Sequence, residues 1–297
     1  MKRLALLLLT AVLARPALAL NVFACEPEWA ALTAELAGDK VSVFSATTAL
    51  QDVHHIEARP TLIARMRNAD LLVCTGLELE SGWLPVLLQR SGNPRIQPGQ
   101  PGWFEAGMLV PRLDVPTRLD RSEGDVHAAG NPHIQTDPRN IQRVADALAK
   151  RLTELDPANA AVYQARQRDF GQRWQQAIKR WELQAAPLRG MAVITHHKDM
   201  LYLTQWLGMK SIATLEPKPG VEPSTAYLAG LLALQRGTPA RLVLRTPYQS
   251  ARPSEWLAAQ TGIKPVELPL TVGGADKAQD LFGLFDVTLQ RLLEGGR

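Results

Sequence analysis

Two trains of short apolar runs, each run followed by residues at helical spacing, set the fold this chain can adopt. The first train opens with residues 21–25 (NVFAC), continues with apolar residues at helical spacing over 28–38, and reaches a second run at 41–44. A helical stretch at 60–68, an apolar run at 70–74 (DLLVC) and a further helical stretch at 80–90 extend it. Strands that are apolar throughout, with helices between them, predict a parallel sheet covered on both faces. Residues 93–130 are rich in Pro, Gly and Asp and read mostly as loop, with short extended pieces such as 108–112.

A polar stretch separates the two trains. Asp137-Pro138 starts a helix through 155, and Pro157 restarts one to about residue 183, with proline at a tolerated first-turn position. A helix of roughly 27 residues is about 40 Å long. Its apolar residues are sparse among Gln164, Arg166, Gln167, Gln172, Gln175 and Lys179, which suits a connecting spine better than a core element. Strands at 191–195, 211–215, 241–244 and 265–268 then alternate with helices at 199–207, 224–235, 254–261 and 276–293. The expected architecture is α/β, with one lobe over 20–155, a linker helix over 156–185 and a second lobe over 186–297. Loops leaving the carboxyl ends of parallel strands would line a cleft between the lobes, the natural place for a ligand. There is no Walker phosphate loop and no GxGxxG, and Gly273-Gly274 alone does not make a phosphate cradle.

Residues 1–19 have the form of a cleavable secretory signal: Lys2 and Arg3, an apolar run from 4 to 13, and Ala17-Leu18-Ala19 as a small-x-small cleavage site. The run is short of the roughly 20 residues needed to span a bilayer. The full chain carries a formal charge of +4, but losing Lys2, Arg3 and Arg15 leaves 30 basic against 29 acidic residues, near +1. That gives no argument for nucleic acid as a partner. Cys25 as the acylated residue of a lipoprotein signal is a competing reading, weakened by bulky Phe23 and by the strand character of 21–24. Cys25 and Cys74 end two neighbouring expected strands; an oxidising compartment would let them pair, and two buried thiols are the other reading. Trp29, Trp83, Trp206 and Trp256 lie in helical patterns and read as packing residues.

The six histidines fall in three short clusters: His54-His55, His127 with His133, and His196-His197. Each borders a strand or a helix start, so all three clusters can be aimed at one cleft. Neutral imidazole is a common zinc ligand, and three of them with one oxygen complete a tetrahedron.

The residues around these histidines resemble the metal-binding solute receptors of ABC transporters, the zinc and manganese receptor family. Asp52-Val53-His54-His55-Ile56-Glu57 resembles the family's D-P-H-x-Y-E loop, with Val53 in place of Pro. Asn131-Pro132-His133-Ile134 with Asp137-Pro138 resembles D-P-H-I-W-x-D-P, and His197-Lys198-Asp199-Met200-Leu201-Tyr202 resembles H-x-x-F-x-Y. Residues 76–84 (GLELESGWL), 216–224 (EPKPGVEPS) and 156–163 match as well, so the resemblance runs from about 21 to 297. It implies a periplasmic receptor whose metal ligands are His54, His133 and His197, with no reaction catalysed. In many relatives a late L-D-P-L segment supplies a fourth, carboxylate ligand; here Leu268 stands at that place. Asp276, water and, less favourably, Glu267 are the candidates for the fourth position. His55 and His196 are expected outside the ligand set, and His127 in a loop.

Three imidazoles with at most one carboxylate favour Zn2+ over manganese, which prefers oxygen donors; manganese or another divalent metal is the alternative cargo. The implied partner is an ABC permease at the inner membrane, a metallochaperone is a further candidate, and the receptor is expected to act as a monomer. A periplasmic zinc hydrolase is the reading from another class. It would need an open coordination position and a base such as Glu57 or Asp199, and the chain has no HExxH.

Overall fold

The computed structural model describes residues 19–118, 124 and 127–297, so the expected leader, apart from Ala19, lies outside the described residues. The first train folds as β1 (Leu20–Ala24), α1 (Pro27–Ala37), β2 (Val41–Ser45), α2 (Pro60–Arg67), β3 (Leu71–Cys74), α3 (Leu84–Ser91) and β4 (Trp103–Glu105). Its strands form one parallel sheet in the order β2-β1-β3-β4. After α4 (Pro138–Leu155) and α5 (Ala160–Gln184), the second train gives β5 (Ala192–Thr195), α6 (Leu201–Leu207), β6 (Lys210–Thr214), α7 (Thr225–Gly237), β7 (Leu242–Arg245), α8 (Arg252–Thr261) and β8 (Lys264–Glu267). This sheet is also parallel, in the order β6-β5-β7-β8, and α9 (Leu281–Gly295) closes the chain. Both sheets have the same strand order. In each, the chain starts on an inner strand, moves to one edge and then crosses back, which opens a crevice outside the carboxyl ends of the strands.

The expected α/β architecture of two parallel-sheet lobes and a long connecting helix is what the chain builds. Proline occupies the first turn of α1, α2, α3, α4 and α8, where a missing N–H costs no hydrogen bond. Asp137 caps α4 by accepting from the Arg139 N–H at 2.8 Å, and Asp280 caps α9 by accepting from the Gly283 N–H at 2.7 Å.

Four local expectations need correction. β4 lies inside the stretch read as loop, because three residues paired to β3 on one side are too short to show a period. The extended piece expected at 108–112 is in part a 3-10 turn, Ala106–Leu109. The helix expected from 80 begins at Leu84, since the Glu80 carboxylate turns back to accept the N–H groups of Thr75 (2.8 Å) and Gly76 (3.1 Å). The last helix begins at Leu281 rather than 276, after a turn closed by the Gly273 N–H on the Ala278 carbonyl at 2.6 Å.

The spine helix is also more than a connector. Along α5, Tyr163, Phe170, Trp174, Ala177 and Trp181 form one fully buried stripe. Phe282 and Phe285 of α9 pack on it, with ring centroids 4.8 and 5.6 Å from Trp174 and 6.3 and 5.0 Å from Trp181. The indole N–H of Trp174 donates to the Pro138 carbonyl, and that of Trp181 to Asp286. One continuous apolar core therefore runs from β1 and α1 through α4 and α5 to α9, β5 and β7.

Cys25 and Cys74 pair as a disulfide with Cα atoms 4.8 Å apart, joining the ends of β1 and β3. Cys25 is fully buried there, surroundings that suit a structural disulfide better than a lipid-bearing residue. Among the described residues, no helix is long and apolar enough to cross a membrane.

Candidate metal centre

His54 lies in the loop after β2. The Trp83 indole N–H holds the preceding Val53 carbonyl at 2.8 Å, and a Cβ on Gly82 would come within 2.8 Å of the His54 carbonyl oxygen, so glycine lets the two loops meet. Asp52 accepts both the His54 N–H (3.0 Å) and its ring Nδ1 (2.7 Å). Burial acts to raise the Asp52 pKa, but the bonds and charge of His54 outweigh it and hold it below the usual value. An ionised carboxylate on Nδ1 fixes the proton there and leaves the His54 Nε2 lone pair open.

His133 enters just before the 3-10 turn Ile134–Thr136 that leads into α4. Its N–H donates to Asn131 Oδ1 at 3.0 Å and its carbonyl accepts the Thr136 hydroxyl at 3.0 Å. His197 follows β5, and its Nδ1 is bonded at 2.7 Å to Glu216, which follows β6 and also accepts the Gly220 N–H at 2.9 Å. Two loops of the first lobe and one of the second thus deliver the three side chains.

The structure brings the three together: one ring nitrogen from each of His54, His133 and His197 lies within 4.8 Å of the others. Ring centroids are 5.4, 5.7 and 5.5 Å apart, with planes crossed at 67°, 73° and 89°. A tetrahedral zinc at about 2.0–2.1 Å keeps its donors roughly 3.4 Å apart, so a small contraction closes the set. The three residues are 8%, 1% and 7% exposed, and neither His54 Nε2 nor either nitrogen of His133 has a hydrogen-bond partner among the described residues. Buried imidazole nitrogens without partners, converging from three loops, fit a cation.

Electrostatics acts in opposite directions on His133 and His197. Burial, reinforced by the neighbouring imidazoles, pushes the His133 pKa well below its ordinary value. Burial would lower the His197 pKa too, but the bond to Glu216 and the charges of Asp199, Glu216 and Asp52 prevail and raise it. His197 is therefore where protons compete with metal.

The remaining candidates lie elsewhere. Asp276 is exposed on a separate groove with Pro247, Glu267 and Lys277, carried away from the histidines by the turn before α9. Glu267 pairs with Arg245 at 2.6 Å, and Leu268 is fully buried. His55 is exposed, whereas His196 is buried, its Nδ1 without a partner among the described residues and its pKa lowered by that burial. Glu57 is exposed and Asp199 is buried with a bond to the Gln249 amide at 2.8 Å. His127 does approach the set: its ring stacks on His54 at 5.3 Å and 30°. Sequence reasoning left Asp52 and Glu216 without roles, although both stood inside the quoted motifs.

A second buried cluster borders the disulfide. Glu26, Glu28 and Glu80 are all at most 2% exposed. Burial pushes Glu28 and Glu80 up to about 7 and Glu26 well above its ordinary value, with the neighbouring carboxylates adding to the rise for Glu26 and Glu28. The Thr271 hydroxyl of the second lobe donates to Glu28 of the first.

The family model described as zinc-uptake complex component A, periplasmic, matches residues 22–295. The manganese ABC transporter substrate-binding lipoprotein PsaA of Streptococcus anginosus is 22% identical, over 93% of this chain and 89% of its own length. The high-affinity zinc uptake system protein ZnuA of Yersinia pestis is 25% identical over 59% of each chain. A crystal structure of ZnuA shares the fold with a TM-score of 0.78 at 22% identity, covering 94% of this chain and all of that one. Members of this family bind divalent metals for transport and are not enzymes, which sets aside the hydrolase reading. With the match spanning both sheets and the spine between them, the chain belongs to the zinc-uptake component A family, the metal-binding receptors that work with ABC transporter permeases.

Proposed function

We propose that this chain is a periplasmic zinc receptor, exported through the leader at residues 1–19, that captures Zn2+ with His54, His133 and His197 and delivers it to an inner-membrane permease. The observation that carries this reading is the donor set: three converging buried imidazoles, two of them braced on Nδ1 by carboxylates. Nitrogen donors favour zinc over manganese, which seeks more oxygen. In this reading the lobes are 20–155 and 186–297, with 156–185 as a spine packed into both. The shared core supports capture by small side-chain and loop movements rather than a wide hinge.

Calorimetric zinc titration of residues 20–297 tests the proposal against His54→Ala, His133→Ala and His197→Ala. One tight site is expected in the parent, with each variant losing most of its affinity. Variants that bind like the parent would leave the histidines as packing residues.

A further inference from the structure

Three imidazoles leave a tetrahedral ion one position short. The cavity beside them has a volume of about 270 Å3 and is lined by His127, His133, His197, Glu216, Asp114 and Asn131, among others. Glu216 is already bonded to His197, Asp114 to Lys198, and Asn131 to the Lys198 carbonyl and the His133 N–H. His127 is different: its Nε2 is buried and has no hydrogen-bond partner among the described residues.

The backbone around His127 is built to hold that ring. The His127 carbonyl accepts the Gly130 N–H at 3.1 Å, and Asn131 N–H donates to Leu113 at 2.8 Å. The adjoining Ala128 N–H donates to the Glu78 carboxylate. Glu78 reaches it from a run of three left-handed residues, Gly76, Leu77 and Glu78, at φ 72°, 53° and 68°. Such backbone costs on the order of 1–3 kcal/mol at each non-glycine residue, and it tends to persist at functional sites. Gly130, at φ 108°, also passes where a Cβ would meet the Leu113 carbonyl at 2.9 Å. The turn is thus clamped to the first lobe on both sides, with the imidazole laid against His54.

We infer that His127 supplies the fourth donor, through its Nε2, to the ion held by His54, His133 and His197. The assignment rests on the receptor reading and sharpens it. Four neutral nitrogens without a directly bound carboxylate make a site for a late first-row dication and a poor one for manganese. His127 stands outside the three ring nitrogens that already lie within 4.8 Å of one another, so joining them requires its ring to turn from the stacked position on His54 toward the common centre.

The test is to count metal-bound imidazoles. Residues 20–297 labelled with 15N-histidine are titrated with zinc and observed by NMR, in the parent, His127→Ala and His127→Phe. Four imidazoles shift in the parent and three in each variant. Zinc affinity falls by roughly 10-fold or more in both variants, at least the effect of losing an outer partner of a ligand. His127→Phe keeps the stacked ring, so a packing role alone would leave its affinity at the parent level. Three shifted imidazoles in the parent, or parent-like binding by His127→Phe, overturns the assignment while leaving the receptor reading intact. If no imidazole shifts in the parent, both fall.

Discussion

Glu28→Gln should make this protein more stable in mild alkali than its parent. Glu28 is 1% exposed in the first turn of α1 and accepts the Thr271 hydroxyl from the other lobe. Burial, opposed by the Thr271 bond and reinforced by Glu80, raises its pKa from 4.5 to about 7. A raised acid binds its proton more tightly when folded. Its contribution is complete below about pH 4.5 and is lost as pH rises through about 7. At about 1.4 kcal/mol per pH unit, that loss is on the order of 3 kcal/mol. Glutamine keeps the neutral shape and an acceptor for Thr271 at every pH. The variant should melt with the parent near pH 4.5 and about 6–12 °C above it at pH 8, using roughly 2–4 °C per kcal/mol for chains approaching this size. Thermal melts in chelator across that range measure the gap. Parallel curves would show that the Glu28 carboxyl titrates normally and that the burial argument is wrong.

Glu216→Gln should weaken zinc binding by roughly 10–100-fold at pH 7.5, since the carboxylate orients His197. Because Glu216 helps raise the His197 pKa, the same variant should lose less affinity than the parent between pH 7.5 and 5.5, as paired calorimetric titrations would reveal. Replacing both cysteines by alanine should cost up to about 4 kcal/mol in the chain-entropy account for a 49-residue separation, read by urea unfolding, with zinc still bound. Trp174→Ala should cost about 3–5 kcal/mol and broaden unfolding, because that ring joins α5 to α9.

The strand and helix order was legible because buried parallel strands are apolar throughout and proline marks the helix starts. β4 was not, since three edge residues carry no periodic signal. The stripe on α5 was present in the sequence, but aromatic residues at 163, 170, 174 and 181 are diluted by polar neighbours, and mean polarity hid what the spacing held. The three ligand candidates were legible from motif and clustering together. Asp276 is within reach of the cleft along the chain, and only the turn closed between Gly273 and Ala278 shows that it faces another groove. The buried carboxylates had no signal at all: Glu28 in a first turn reads as an ordinary complement to the helix dipole.

The aromatic stack between α5 and α9 bears on how a transporter tells a full receptor from an empty one. A receptor with swinging lobes offers two outlines, one for each state. A core that runs unbroken through α5 and α9 would hold the two outlines close to each other, and would leave the loops around the cleft as the place where they differ. On that footing empty copies would compete with loaded ones for the same docking place. Uptake would then follow the fraction of receptor that carries metal, and receptor in excess of the ion supply would act as its own inhibitor.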